Sequence, residues 1–268
     1  MSTTMLRVGA KGSEVRRLQQ ALADLGFRPG LIDGDFGGGT EAAVIAFQRS
    51  RGLLPDGVAG PRTQAALGLT HDATLPSAAG EMSVQVASRM CPFTPLANIK
   101  ANLPVVVDSL GRHGLQDRTM MLMAVASIRA ETESFLPISE GRSRFNTSPS
   151  GAPFDLYDHR TDLGNRGSPD GQRFRGRGFI QLTGRFNYAR FGPRLNPPLD
   201  LEAHPELANA SDIAADLLSL FLKSRELNIK DALMHGNLQA ARRLVNGGSH
   251  GLERFSEAYR TGDALLPR

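Results

Sequence analysis

The chain has 268 residues, 40% of them apolar, a formal net charge of +4 and one cysteine. That length holds one large domain or a small one beside a medium one, with enough apolar residues for ordinary cores. The lone Cys91 excludes an internal disulfide and a thiolate zinc cluster, and no apolar run approaches the ~20 residues that span a bilayer.

The first residues, Met1 to Arg7, carry no apolar segment of the kind a secretory signal needs. The expectation is synthesis in the cytoplasm, no stable membrane insertion, and release by other means. Between Leu136 and Arg190 stand nine arginines, no lysine and five acids, a balance of +4 equal to that of the whole chain. Such a stretch suits an anionic polymer, either nucleic acid or the carboxylate-bearing peptidoglycan of a bacterial wall. Its arginines alternate with Gly, Asp and Asn, and no helix-turn-helix, finger or RNP pattern accompanies them, which argues against nucleic acid.

In chain order, the spacing of Val15, Leu18, Leu22 and Leu25 predicts a first helix, with Ser13 as N-cap, Glu14 in its first turn and Gly26 closing it. A phrase then occurs twice, 23 residues apart: Asp33-Gly34, Gly37 and Thr40-Glu41-Ala42-Ala43-Val44, then Asp56-Gly57, Gly60 and Thr63-Gln64-Ala65-Ala66-Leu67. Each copy reads as a glycine-bearing turn, a threonine cap and a short helix. A unit used twice buries its apolar face against its neighbour. Val44, Ile45, Phe47, Leu53, Val58 and Leu67 supply that core of about three helices. Asp33 and Asp35 resemble the start of a calcium loop, but the twelfth position is Val44 where a bidentate glutamate is required. Asp33 and Asp56 are instead expected to organise turns through nearby backbone N–H groups.

These residues, from Leu6-Arg7-Val8-Gly9 through Gln19, Asp33-Gly34-Asp35-Phe36-Gly37 and Phe47-Gln48 to Gly60-Pro61, resemble the peptidoglycan-binding domain of many wall hydrolases. The resemblance covers residues 1–69 and implies attachment to the wall polymer, without catalysis. Residues 70–82, small and polar with a proline, read as a linker, and residues 83–268 as a second domain.

In that domain Asp117 or Thr119 caps a helix that lines up Met120, Met123, Ala124, Ser127 and Ile128 on one face. Glu131 continues the face. A carboxyl ending a buried stripe is expected to be held neutral, as a general acid must be. Pro137 prevents the helix from continuing, and Glu140 follows in a Gly- and Ser-containing loop, expected to be solvated and ionised. With the helix broken, the loop can fold back, and a separation of about 6.5–9.5 Å would suit an inverting glycosidase.

Glu131-Thr132, Phe135, Glu140, Asp162-Leu163-Gly164-Asn165, Asn246-Gly247-Gly248 and above all Gly176-Arg177-Gly178-Phe179-Ile180-Gln181-Leu182-Thr183-Gly184-Arg185-Phe186-Asn187-Tyr188 resemble glycoside hydrolase family 19. More narrowly, they resemble the chitinase-like lysozymes of bacteriophages, the endolysins. That resemblance implies a mainly α fold: the small three-helix module followed by a bilobal, lysozyme-like helical catalytic domain around a groove. It implies Glu131 as general acid, Glu140 as general base and Thr183 holding the attacking water. It implies that Gln181, Asn187 and Asn246 bind sugar hydroxyl and acetamido groups, for which amides are suited. Tyr188 is a candidate for stacking on the sugar, and Arg177 with its neighbours for attracting the peptide carboxylates of the wall polymer. Arg173, Arg175 and Arg177 have a second reading, as bridges to backbone carbonyls and to Asp162 and Asp170. Asn246, before Gly-Gly, equally suits a turn.

Three departures from the family pattern stand out: Ala130 before the acid, no tryptophan, and no cysteine pairs. Tyr157, Phe186 and Tyr188 are the aromatics left to stack sugars. The expected activity is cleavage of the MurNAc–GlcNAc backbone of peptidoglycan by a monomer that uses no cofactor and no metal. The alternatives are a lytic transglycosylase giving 1,6-anhydro ends, a chitinase, an antibacterial effector, and a non-catalytic wall binder. An amidase or peptidase is disfavoured, because the six histidines are scattered and Cys91 precedes proline.

Overall fold

The computed structural model describes residues 5–69, 76–248 and 251–267. The protein is mainly α-helical; among the described residues β-structure is confined to isolated bridges such as Leu6 with Ala59 and Arg177 with Leu182. Two compact units emerge, residues 1–75 with 227–236, and residues 76–226 with 237–268.

In the first unit, helices α1 (Ser13–Asp24), α2 (Gly38–Ser50) and α3 (Pro61–Ala66) enclose one core. Val15, Leu18 and Leu22 of α1 meet Val44 and Phe47 of α2, with Leu6, Phe36, Ala59 and Leu67 filling between. Phe27 meets Phe47 edge to face at 5.5 Å, a favoured aromatic geometry. Leu25, expected on the buried face, is exposed, because α1 has ended there and Gly26, at φ +84°, turns the chain away.

The caps differ from expectation. Gly12, Gly37 and Gly60 occupy the N-cap positions, while Ser13, Thr40 and Thr63 lie inside the helices. Two buried glutamines claim the threonines. Gln19 Nε2 donates to Asp33 Oδ1 (3.0 Å), the Asp35 carbonyl (3.0 Å) and Thr40 Oγ1 (3.1 Å), and its Oε1 accepts from Gly34 N–H at 2.8 Å. Gln48 repeats every contact in the second copy, with Asp56 Oδ1 (2.9 Å), the Val58 carbonyl (3.0 Å), Thr63 Oγ1 (3.1 Å) and Gly57 N–H (3.1 Å). Asp33 and Asp56 accept from the backbone two residues on, both at 2.9 Å, so they do organise the turns. The duplicated phrase is therefore a duplicated polar core, each satisfied by one amide from the preceding helix.

The second unit begins at Pro76. Of the stretch read as linker, residues 70–75 lie outside the described residues, whereas Ala78 and Met82 are buried and Ser77 bridges Asp117. Next come α4 (Val84–Met90), α5 (Leu96–Arg112) and α6 (Arg118–Glu131), with Asp117 capping α6 by accepting from Met120 N–H at 3.2 Å. Every residue of α6 from Met120 to Ala130 is buried. A helix apolar nearly all round belongs at the centre of a core. It is packed by α10 (Ser211–Lys223) and α13 (Leu252–Leu265), which also reach α5 and α4 respectively. The short helices α7 (Asp155–Asp158), α8 (Asp170–Arg173) and α9 (Arg185–Phe191) carry the Gly-Arg-Gly region, and α12 (Leu238–Asn246) precedes α13. Helix α11 (Glu226–Met234) falls almost wholly in the first unit.

Candidate active site

Helix α6 ends at Glu131, six residues before Pro137. The break is made by the backbone, since Glu133 (φ +51°) and Phe135 (φ +56°) both adopt the left-handed conformation, which costs a non-glycine residue on the order of 1 kcal/mol or more. Side chains of the α5 region hold it there: Thr94 donates to the Glu133 carbonyl, Asn98 to Ser134 and Asn102 to Phe135. Phe135 is buried 6.3 Å from Phe179, so the loop folds back on the Gly-Arg-Gly segment.

That segment receives it along its length. Gly178 N–H and Gln181 Nε2 both donate to the Ile138 carbonyl, at 3.1 and 2.8 Å, and Glu140 N–H donates to the Gly176 carbonyl at 2.7 Å. The Glu140 carboxylate then accepts three hydrogen bonds: Oε1 from Tyr157 Oη and from Asn146 Nδ2, each at 2.9 Å, and Oε2 from Gly176 N–H at 3.1 Å. Burial, then the adjacent Glu140 charge, push the Tyr157 phenol up to about 12. Tyr157 therefore remains a donor throughout the neutral range.

Gly176 is the hub of this arrangement. A Cβ there would stand 2.9 Å from Gln181 Oε1 and 3.2 Å from both Glu140 Oε2 and Thr183 Oγ1. The three predicted polar groups thus converge on one backbone position that only glycine leaves open. Thr183 Oγ1 donates to the Gln181 carbonyl at 2.8 Å, which leaves its lone pairs toward the cluster. Gln181, itself left-handed at φ +51°, spends its amide hydrogens on Ile138 and Gly178 carbonyls, so its Oε1 is the acceptor facing the hub. Asn187, on α9, is half-buried and donates to the Thr183 carbonyl at 2.8 Å.

Glu131, at the end of the apolar face of α6, meets a charged group. Its Oε1 lies 2.7 Å from Nη2 of the fully buried Arg242 on α12. The buried guanidinium therefore fixes the orientation of the carboxyl group. Asn246 sits one turn beyond Arg242 on the same helix, ends α12, and accepts from Gly248 N–H at 3.0 Å, a turn contact.

Two predicted binding residues are corrected. Tyr188 is fully buried; its hydroxyl donates to the Arg175 carbonyl and accepts from Arg177, both within 2.9 Å. Arg177 is also buried and donates to the carbonyls of Arg173 and Arg175 as well. Both are internal braces of the segment that carries the site and have no surface to offer a sugar. Arg173 and Arg175 likewise donate to carbonyls, while Asp162 pairs with Arg160 and Asp170 with Arg185. Of the three aromatics set aside for stacking, Tyr157 serves Glu140, Tyr188 is core, and Phe186 is exposed. Sequence reasoning missed Asn146 and Arg242, because their partners are distant in the chain or in a loop without periodicity. Cys91 is buried, and burial pushes its thiol up to about 12.

Both units have similar counterparts among known proteins. Residues 11–67, within the first unit, match the family model of a peptidoglycan binding domain. Among curated relatives, N-acetylmuramoyl-L-alanine amidase CwlM of Mycobacterium tuberculosis is 50% identical over 52 residues, 19% of this chain and 13% of that protein. A glycosyl hydrolase family 19 domain-containing protein of Haemophilus influenzae is 30% identical over 105 residues, 39% of this chain and 48% of that one. The chain thus spans about an eighth and about half of the length of these two relatives. A solved bacterial family 19 chitinase is similar at 19% identity with a TM-score of 0.48, over 68% of this chain and 94% of the other.

Proposed function

We propose that the protein is a peptidoglycan-degrading glycosidase that cuts the MurNAc–GlcNAc backbone, with its N-terminal domain holding it on the wall. The observation that carries this reading is the Glu140 carboxylate, fixed by three donors with Thr183 and Gln181 beside it at the Gly176 hub. A carboxylate so fixed, next to a hydroxyl with a spare lone pair, is built to orient a water and take its proton. Glu131 is the group that protonates the departing glycosidic oxygen. Arg242 fixes its position by the 2.7 Å contact to its carboxyl oxygen. Water held by Glu140 and Thr183 attacks the anomeric carbon, and its proton passes to Glu140.

The transglycosylase alternative closes the muramyl 6-hydroxyl on the anomeric carbon and needs no attacking water. The three donors on Glu140 favour hydrolysis, because they have no task in that reaction. The test is digestion of purified walls with mass analysis of the fragments. Glu131→Gln and Glu140→Gln should each abolish clearing, and wild-type fragments should carry one added water per cut. Fragments with 1,6-anhydro ends, or an active Glu140→Gln, overturn the hydrolytic reading.

A further inference from the structure

The loop that leaves Glu140 returns to it. Asn146 is buried, and its Nδ2 donates to Glu140 Oε1 and to the Gly141 carbonyl, both at 2.9 Å. Its Oδ1 accepts from Ser143 N–H and from Thr147 Oγ1, both at 2.8 Å. Residues 141–145 are therefore a closed loop staked to the carboxylate by one side chain, and all five are exposed.

Two of the five are Arg142 and Arg144, and neither forms an ion pair with any described residue. Arg142 and Arg144 also make no hydrogen bond to another described residue, and both are exposed. Arg160 and Arg185 are neutralised by carboxylates, and Arg173, Arg175 and Arg177 are spent on carbonyls. The acids nearby are spoken for as well: Asp155 accepts from Ser148, and Asp158 from Gly171 N–H. Two of the stretch's positive charges thus sit on the loop that Asn146 ties to the Glu140 carboxylate. Arg144 is laid over the exposed Phe145 ring at 4.9 Å, a cation–π contact that holds the guanidinium partly ordered before anything binds.

We infer that Arg142 and Arg144 form a subsite for the carboxylates of the stem peptides that peptidoglycan carries beside its glycan backbone. This rests on the glycosidase reading and names the feature by which the site would tell peptidoglycan from neutral chitin. Guanidinium groups suit the task, since they are charged at every working pH and match a carboxylate with paired donors.

The test compares native walls with walls whose peptide carboxylates have been converted to amides, using the full-length protein. Exposed ion pairs are modest, so Arg142→Ala/Arg144→Ala should lower kcat/KM on native walls by about three- to tenfold. Wild type should lose a similar factor on amidated walls, the double variant nothing further, and Arg142→Lys/Arg144→Lys should recover part of the loss. The variant's loss should also shrink as salt rises. An unchanged variant on native walls, or one that falls equally on both substrates, overturns the subsite; an equal fall would place the effect on Glu140 itself. A wild-type protein that clears neither wall overturns the glycosidase reading, and the subsite with it.

Discussion

The hydroxyl of Tyr157 donates to Oε1 of Glu140 at 2.9 Å across 17 residues of chain. Tyr157 begins its role by being half-buried on the four-residue helix α7, whose end is tied to α9 through Asn165, donor to the Tyr157 carbonyl and acceptor for Arg185 N–H. The Asp-Leu-Gly-Asn motif is thus the brace behind the brace. A hydrogen bond to a charged group is worth about 1.5–3 kcal/mol. Tyr157→Phe should therefore lower the melting temperature by several degrees and lower kcat roughly tenfold or more with KM near wild type; a thermal scan and steady-state kinetics on walls check both.

Gly176 tests the geometry of the cluster rather than its chemistry. Its φ requires no glycine, so Gly176→Ala has no backbone penalty, but the methyl would stand 2.9 Å from Gln181 Oε1 and 3.2 Å from Glu140 Oε2. Misplacement by about 1 Å can cost on the order of a hundredfold in rate. The expected outcome is a folded protein by circular dichroism that clears walls at about 1% of the wild-type rate or less.

The Glu131–Arg242 pair makes a stability prediction. Arg242 is completely buried and the Glu131 side chain is 13% exposed. Removing one partner of a buried pair leaves the other charge uncompensated, at about 3–5 kcal/mol. Arg242→Ala should lower the denaturant midpoint of the second unit accordingly, and Arg242→Lys should restore less than half, because a lysine cannot reproduce the planar fork.

Acid sensitivity should come in part from Asp170. Its carboxyl is held below the ordinary aspartate value of 3.8, first by its hydrogen bond from Arg185. Because the folded-state value is the lower one, protons bind the unfolded chain more readily. The stabilisation is then present in full above about pH 4 and is lost as pH falls through the folded value. Asp170→Asn should reduce stability at pH 7 and flatten its decline below about pH 4, read from urea midpoints across a pH series.

The sequence carried the helices, because the 3.6-residue spacing of Val15, Leu18 and Leu22, or the unbroken apolar run of α6, is a local property that burial then rewards. It carried the repeated turns and the carboxylates for the same reason: each is written within a few neighbouring residues. The two glutamines that complete the repeats escaped it, since Gln19 and Gln48 stand 29 residues apart (48 − 19), off the 23-residue period. Burial decided the rest. Tyr188 and Arg177 stand in the motif beside Gln181 and Thr183, yet face inward, while Arg242, 111 residues from Glu131 (242 − 131), is the group that meets its carboxylate. Which residue occupies an element is a matter of nearest neighbours along the chain; which charge meets which depends on packing between elements, and no local pattern encodes that.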